Sequence, residues 1–253
     1  MRACCLISTA ICSVLFHGAA ASQEPSVSPD ESKIATVRGS GRIDVRNTPG
    51  HQSFTRDISV PNPCEVPYLA WLDSHVLVIR CEVNPSVGVY QEVDVNTGNA
   101  GLSGLGFGFV RSPAGRHLAF AGWVPHFSPP YEKSNHLTID RENVYPIPGR
   151  KDEELNLAKR VGDRYVNIHE FSQPWVWSPD SRLLAVVERE FDWQPGGTDD
   201  VGTEVDTRYY LVVAGLRTSP RRVKIASDYQ VRWIDRETIE IGPSAFHLSD
   251  LKP

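Results

Sequence analysis

The chain has 253 residues, and its 40% hydrophobic share supplies enough apolar material for one large all-β domain or two small ones. Its formal charge is −5 with no basic stripe, which argues against a nucleic-acid partner, since binding a phosphate backbone needs clustered Lys and Arg. Glycine and proline number 19 each, a turn-rich mixture, and nothing after residue 21 approaches the roughly 18 apolar residues of a membrane helix.

Residues 1–21 read as a cleavable secretory signal. Arg2 is the positive start, residues 3–16 are apolar but too short for a stable anchor, and Ala19, Ala20 and Ala21 suit the signal peptidase, with cleavage before Ser22. A lipoprotein would need a Cys directly after a small residue at the end of the apolar stretch. Cys12 instead follows Ile11 inside it. Residues 22–253 are then expected to be one periplasmic or secreted domain with no membrane span. Cleavage removes Cys4, Cys5 and Cys12, and the remaining pair, Cys64 and Cys81, reads as a disulfide in an exported chain.

One pattern recurs along that domain: an apolar or Trp residue, a tight turn with Pro or Asp, then a short apolar strand. It begins at Val27-Ser28-Pro29-Asp30, returns at Trp71-Leu72-Asp73-Ser74, again at Arg111-Ser112-Pro113-Ala114-Gly115, at Trp177-Ser178-Pro179-Asp180-Ser181, and last at Trp233-Ile234-Asp235-Arg236. Pro presets φ in such turns, Asp bonds back to the backbone, and Trp offers a large area to bury between stacked sheets. The anchors lie 44, 40, 66 and 56 residues apart, so the short intervals match a four-stranded propeller blade and the long ones imply insertions. Alternating strands with Asn and Gly turns follow, as at residues 41–55, 89–98 and 209–225. Helical periodicity is confined to residues 151–160 (KDEELNLAKR).

These residues resemble the TolB-like (PD40-type) β-propeller repeat, whose consensus is W-S-P-D-G before an apolar strand. The fourth copy matches best and the first follows it, whereas the second and fifth lack the Ser-Pro pair. The resemblance implies an all-β, β-propeller-like fold of about five motif copies, four full four-stranded blades plus a shared or partial one. It also suits envelope proteins that assemble with others, and it carries over no catalytic residue. The ends leave closure open: the termini complete one blade together, or the ring stays open or closes by oligomerisation. A two-sheet sandwich is the other architecture.

Each motif turn should join the first strand of a blade to the second. With the second turn centred between Leu72 and Asp73, Cys64 and Cys81 fall opposite each other across that hairpin, at a separation a disulfide spans. The long intervals insert loops after the second strand, one aromatic (Trp123, His126, Phe127 and Tyr131) and one acidic, running from Glu190 to Asp206 with Trp193, Asp199 and Asp200. Trp and Tyr are enriched at binding hot spots, so these residues are the candidate partner contacts. The same aromatics could instead pack on the blades while the acids are solvated.

No catalytic or metal motif stands out. Ser103 in Gly101-Leu102-Ser103-Gly104-Leu105-Gly106 lacks the Gly two positions on that a nucleophile elbow needs, and a phosphate loop would have to open a helix. That stretch reads as a glycine-rich connection between blades. His169-Glu170 is not part of an HExxH site, and Asp199, Asp200, Glu204 and Asp206 do not have EF-hand spacing. The expectation is a non-catalytic module binding another envelope or extracellular protein, without cofactor. The alternative is a carbohydrate-binding or glycoside-hydrolysing propeller drawing on Asp192, Asp199, Asp200 and Glu204.

Overall fold

The computed structural model describes residues 25–39, 41–60, 64, 67–84, 87–122, 136–146, 159–196 and 202–252. The fold is all-β, and its strands make four antiparallel sheets, none closed on itself. The first sheet holds β1 (Ser26–Val27), β2 (Lys33–Arg38), β3 (Arg42–Asn47) and β4 (Thr55–Ser59) in chain order. The second runs through β5 (Tyr68–Trp71), β6 (Val76–Asn84), β7 (Val87–Asp94), β8 (Ala100–Arg111), β9 (Leu118–Ala121), β10 (Leu137–Ile139) and β11 (Glu142–Tyr145). The third contains β12 (Lys159–Val161), β13 (Arg164–Trp177), β14 (Leu184–Gln194), β15 (Thr203–Ala214) and β16 (Arg221–Ile225). The fourth contains β17 (Val231–Trp233), β18 (Thr238–Ile241) and β19 (Ser244–His247).

The five motif turns join β1 to β2, β5 to β6, β8 to β9, β13 to β14 and β17 to β18. Each therefore opens a meander, and five meanders share four sheets because β8 serves two of them. Its first half pairs with β7 and its second half with β9. The glycine-rich stretch expected as a connection is thus continuous strand. Its glycines allow the close approach, since a Cβ on Gly106 would sit 2.0 Å from the Ala121 carbonyl oxygen, and Gly108 has φ +67°.

The turns come in two forms. In the first, third and fourth, Ser28, Ser112 and Ser178 each bond backbone N–H to the carbonyl five residues on, and each hydroxyl accepts the N–H of that same residue. The position three after the Ser has positive φ in all three: Glu31, Gly115 and Ser181. The second and fifth turns are one residue shorter, closing from Leu72 to Val76 and from Ile234 to Thr238. There Asp73 and Asp235 each accept two turn N–H groups, which replaces the missing Ser hydroxyl.

The core lies between successive meanders. Ala35, Ile43, Val45 and Ile58 meet Leu77, Ile79, Val93 and Val95. Val78, Tyr90, Leu118, Phe120 and Leu137 pack with Trp177, Leu184, Val186 and Val212 in the largest cluster. The other face of the third sheet, Ala185, Val187, Leu211 and Val213, meets Val231, Trp233, Ile239 and Ile241. The motif tryptophans also bond across these boundaries: Trp71 Nε1 donates to the Ser26 carbonyl (3.1 Å), Trp177 Nε1 to Val110 (3.0 Å) and Trp233 Nε1 to Val176 (2.9 Å). Each acceptor is the residue before the motif anchor of the preceding meander.

Cys64 and Cys81 form a disulfide with Cα atoms 5.7 Å apart. A loop of this length closed covalently stabilises a fold by roughly 3 kcal/mol in the chain-entropy model. The expected register is corrected, however. Tyr68 pairs with Arg80 and Trp71 with Leu77, so the turn is centred near residue 74, and Cys64 reaches Cys81 from the segment before β5, outside the ladder. A second correction concerns the acidic loop. Glu190 through Gln194 complete β14 and Thr203 through Asp206 begin β15, because the apolar face of these strands continues to the fully buried Phe191. Residues 151–158 of the expected helix lie outside the described residues, while Lys159 and Arg160 belong to β12.

Candidate functional site

Of the candidate contacts, Trp123, His126, Phe127, Tyr131, Asp199 and Asp200 lie outside the described residues. Trp193 is described. It is half-buried near the end of β14, paired with Tyr165 on one side and Glu204 on the other, and its indole packs so closely on Gly202 that no Cβ would fit there. Asp192 pairs with Val205 while Trp193 pairs with Glu204. Directly paired residues share a face, so Asp192 and Glu204 project from opposite faces of the sheet. Each is matched by an arginine, Arg208 at 3.3 Å from Asp192 and Arg189 at 3.0 Å from Glu204.

The densest constellation of titratable groups lies one strand turn deeper. Alternation along β14 puts Leu184, Val186, Glu188 and Glu190 on one face. The first two enter the large core, yet Glu188 is completely buried and Glu190 is 7% exposed. Buried carboxylates persist only when paired, and these are. Arg222 from β16 approaches Glu188 with Nε at 2.9 Å and bonds Glu190 through Nη2. Arg208 from β15 adds a contact to Glu190 at 3.1 Å, and His169 from β13 bonds Glu188 through Nδ1. Tyr145, at the end of the second sheet, donates its hydroxyl to Glu188 at 2.8 Å and so links two sheets through the ionic layer. Arg222 also lies 3.4 Å from the centre of the Tyr210 ring.

This environment acts on the groups themselves. Burial and the Glu188 carboxylate push the Tyr145 hydroxyl far above the usual tyrosine range, which keeps it a donor. The neighbouring Glu188 and Glu190 carboxylates hold Arg222 charged against the opposing effect of desolvation. One donor atom each from His169, Glu188 and Glu190 lie within 4.8 Å of one another, a ligand set of the type transition metals use. Arg222 already bridges both carboxylates, so a cation there would have to compete with a fixed guanidinium. The arrangement is best suited to clamping sheets together. The alternating Glu188, Glu190 and Asp192 in β14 were the available sequence signal for it, hidden because acids at the end of an apolar run read as a solvated loop.

Concave surfaces also occur among the described residues. A groove of about 520 Å³ is lined by residues of β5 to β8 and of β13, Tyr68, Arg80, Glu82, Phe107, Phe109 and Gln173 among others. A larger pocket lies at the opposite, motif-turn side of the third sheet. No family model and no curated protein matches the chain. No helix among the described residues is long and apolar enough to cross a membrane.

Proposed function

We propose that the chain is an exported, non-catalytic protein-binding module of the cell envelope, built as a TolB-like, propeller-like succession of five meanders. The observation that carries this reading is the recurrent indole link. Three successive-meander boundaries use the same donor position and the same acceptor position, as units related by one repeated rotation would. The first strands β1 and β5, β8 and β13, and β13 and β17 also pack against each other, as strands near a common axis do. The signal-like residues 1–21 and the Cys64–Cys81 disulfide support export.

The partner contact is assigned to the end away from the motif turns, where β13, β14 and β15 run to 14, 11 and 12 residues and carry Trp193. Glycoside hydrolysis draws less support, because Asp192 and Glu204 do not face each other and both are neutralised by arginine. The test is cross-linking of the tagged chain in exported fractions, with identification of the captured protein. Changing Trp123 and Trp193 together to Ala should weaken capture of that protein with an unchanged far-UV circular dichroism spectrum. Undiminished capture by the folded double variant would remove this surface from the account.

A further inference from the structure

We infer that the pocket at the motif-turn end, between the third, fourth and fifth meanders, binds a small ligand bearing a phosphate or a cluster of carboxylates. This goes beyond the protein-binding reading and uses a different end of the molecule. The pocket measures about 660 Å³, within the size range of small-molecule sites. Its floor is apolar, with Ile139, Leu183, Val213 and Leu216, and its rim is basic, with Arg182 from the fourth motif turn, Arg221 from β16 and Arg236 from the fifth motif turn.

What singles it out is the state of those guanidinium groups. Among the described residues, the side chains of Arg182 and Arg236 have no ion-pair or hydrogen-bond partner, although nearly every other arginine around the third sheet is committed. Arg221 gives one N–H to the Leu248 carbonyl at 2.6 Å and keeps its other donors. Two acids also line the pocket, and both are occupied. Asp180 accepts from the Ser178 hydroxyl at 2.7 Å and from the Arg182 backbone N–H at 3.2 Å, and Glu237 meets His247 at 3.1 Å. The Ser178 hydroxyl, and after it the nearby Arg182 and Arg236 charges, hold the Asp180 carboxyl below the usual carboxylate range.

One wall is preorganised. His117 directs Nδ1 to Asp140 at 2.8 Å and stacks on Trp177 with ring centres 6.0 Å apart, so its Nε2 edge points away from Asp140. Thr218 and Ser219 also line the pocket as short polar residues, the Thr218 hydroxyl donating to the Gly215 carbonyl at 3.1 Å. Planar guanidinium forks from separate turns that line one pocket suit the oxygens of phosphate or paired carboxylates, and bidentate pairing of this kind is the strong form of the contact. On a chain whose formal charge is −5, such a basic concavity also concentrates anions locally.

Isothermal titration calorimetry on the full mature chain tests this, with inorganic phosphate and citrate as separate probes and ionic strength balanced with sodium chloride. Saturable binding of one probe is expected, weakened by about tenfold or more in the Arg182→Gln/Arg236→Gln variant. Arg46→Gln, an exposed change in the first sheet, should stay within about twofold of the parent. A preference for phosphate indicates a phosphoryl ligand, and a preference for citrate a polycarboxylate. Both arginines are exposed, so folding should survive; if the double variant unfolds, Arg236→Gln alone should still lose affinity several-fold. No saturable heat from either probe, or equal affinity in the arginine variants, overturns the assignment.

Discussion

Trp233 donates its indole N–H to the carbonyl of Val176 at 2.9 Å, and the residue after that acceptor, Trp177, makes the same bond to Val110 one meander earlier. Both indoles are nearly buried, so a lost bond leaves a carbonyl without its donor in an apolar boundary. Trp233→Phe should keep most of the packing and cost about 1–2 kcal/mol, whereas Trp233→Ala should cost roughly 3–5 kcal/mol. Urea denaturation measures both. A loss near zero for Trp233→Phe would mean that the bond contributes nothing beyond burial.

The ionic layer makes a sharper demand. Glu188→Gln removes a charge that the Arg222 guanidinium is paired with, and breaking a buried pair from one side costs about 3–5 kcal/mol. Tyr145→Phe removes only one of the bonds Glu188 accepts and should cost about 1–2 kcal/mol. The two losses should be less than additive in a double variant, because both act through one carboxylate. Full additivity in denaturation experiments would separate Tyr145 from the layer.

Acid titration should single out the motif turns. Asp30 is lowered from 3.8 to about 2, first by the Ser28 hydroxyl and then by that of Ser32. A carboxyl with a depressed folded pKa contributes its stability in full above the unfolded value of about 3.9, and that contribution is lost as pH falls through about 2. Carboxyl-detected NMR should place the Asp30 midpoint in that window, and Ser28→Ala should move it up toward the ordinary value. An Asp30 midpoint unaffected by the substitution would contradict the assigned cause.

Backbone strain offers a stabilising change. Glu31 has φ 58° and an exposed side chain, at the turn position where the third copy carries Gly115. Glu31→Gly should raise stability by roughly 0.5–1 kcal/mol, the left-handed penalty less the entropy that glycine loses on folding. Ser181, at the same turn position, should gain less from the same change, because its hydroxyl accepts the Ala114 N–H at 2.9 Å. A comparison of thermal midpoints for the two variants checks the contrast.

The positions of all five turns were legible in the amino-acid order, because Pro, Asp and Ser act on backbone groups within five residues of themselves. So was the cysteine pairing, since only two thiols remain once residues 1–21 are set aside. The hairpin register was not, because it depends on whether the turn closes from Leu72 to Val76, a one-residue distinction that turn composition alone does not make. The extension of β14 through Glu190, Phe191 and Asp192 was also hidden: an acid reads as solvent-facing until the guanidinium that buries it is known, and Arg222 lies 34 and 32 positions away in sequence from Glu188 and Glu190. Local chemistry therefore determined where the chain bends and which segments repeat. Only the packing of sheets decided which charges were taken from water and which, like those of Arg182 and Arg236, were left facing a pocket, because charge compensation is a property of neighbours in space.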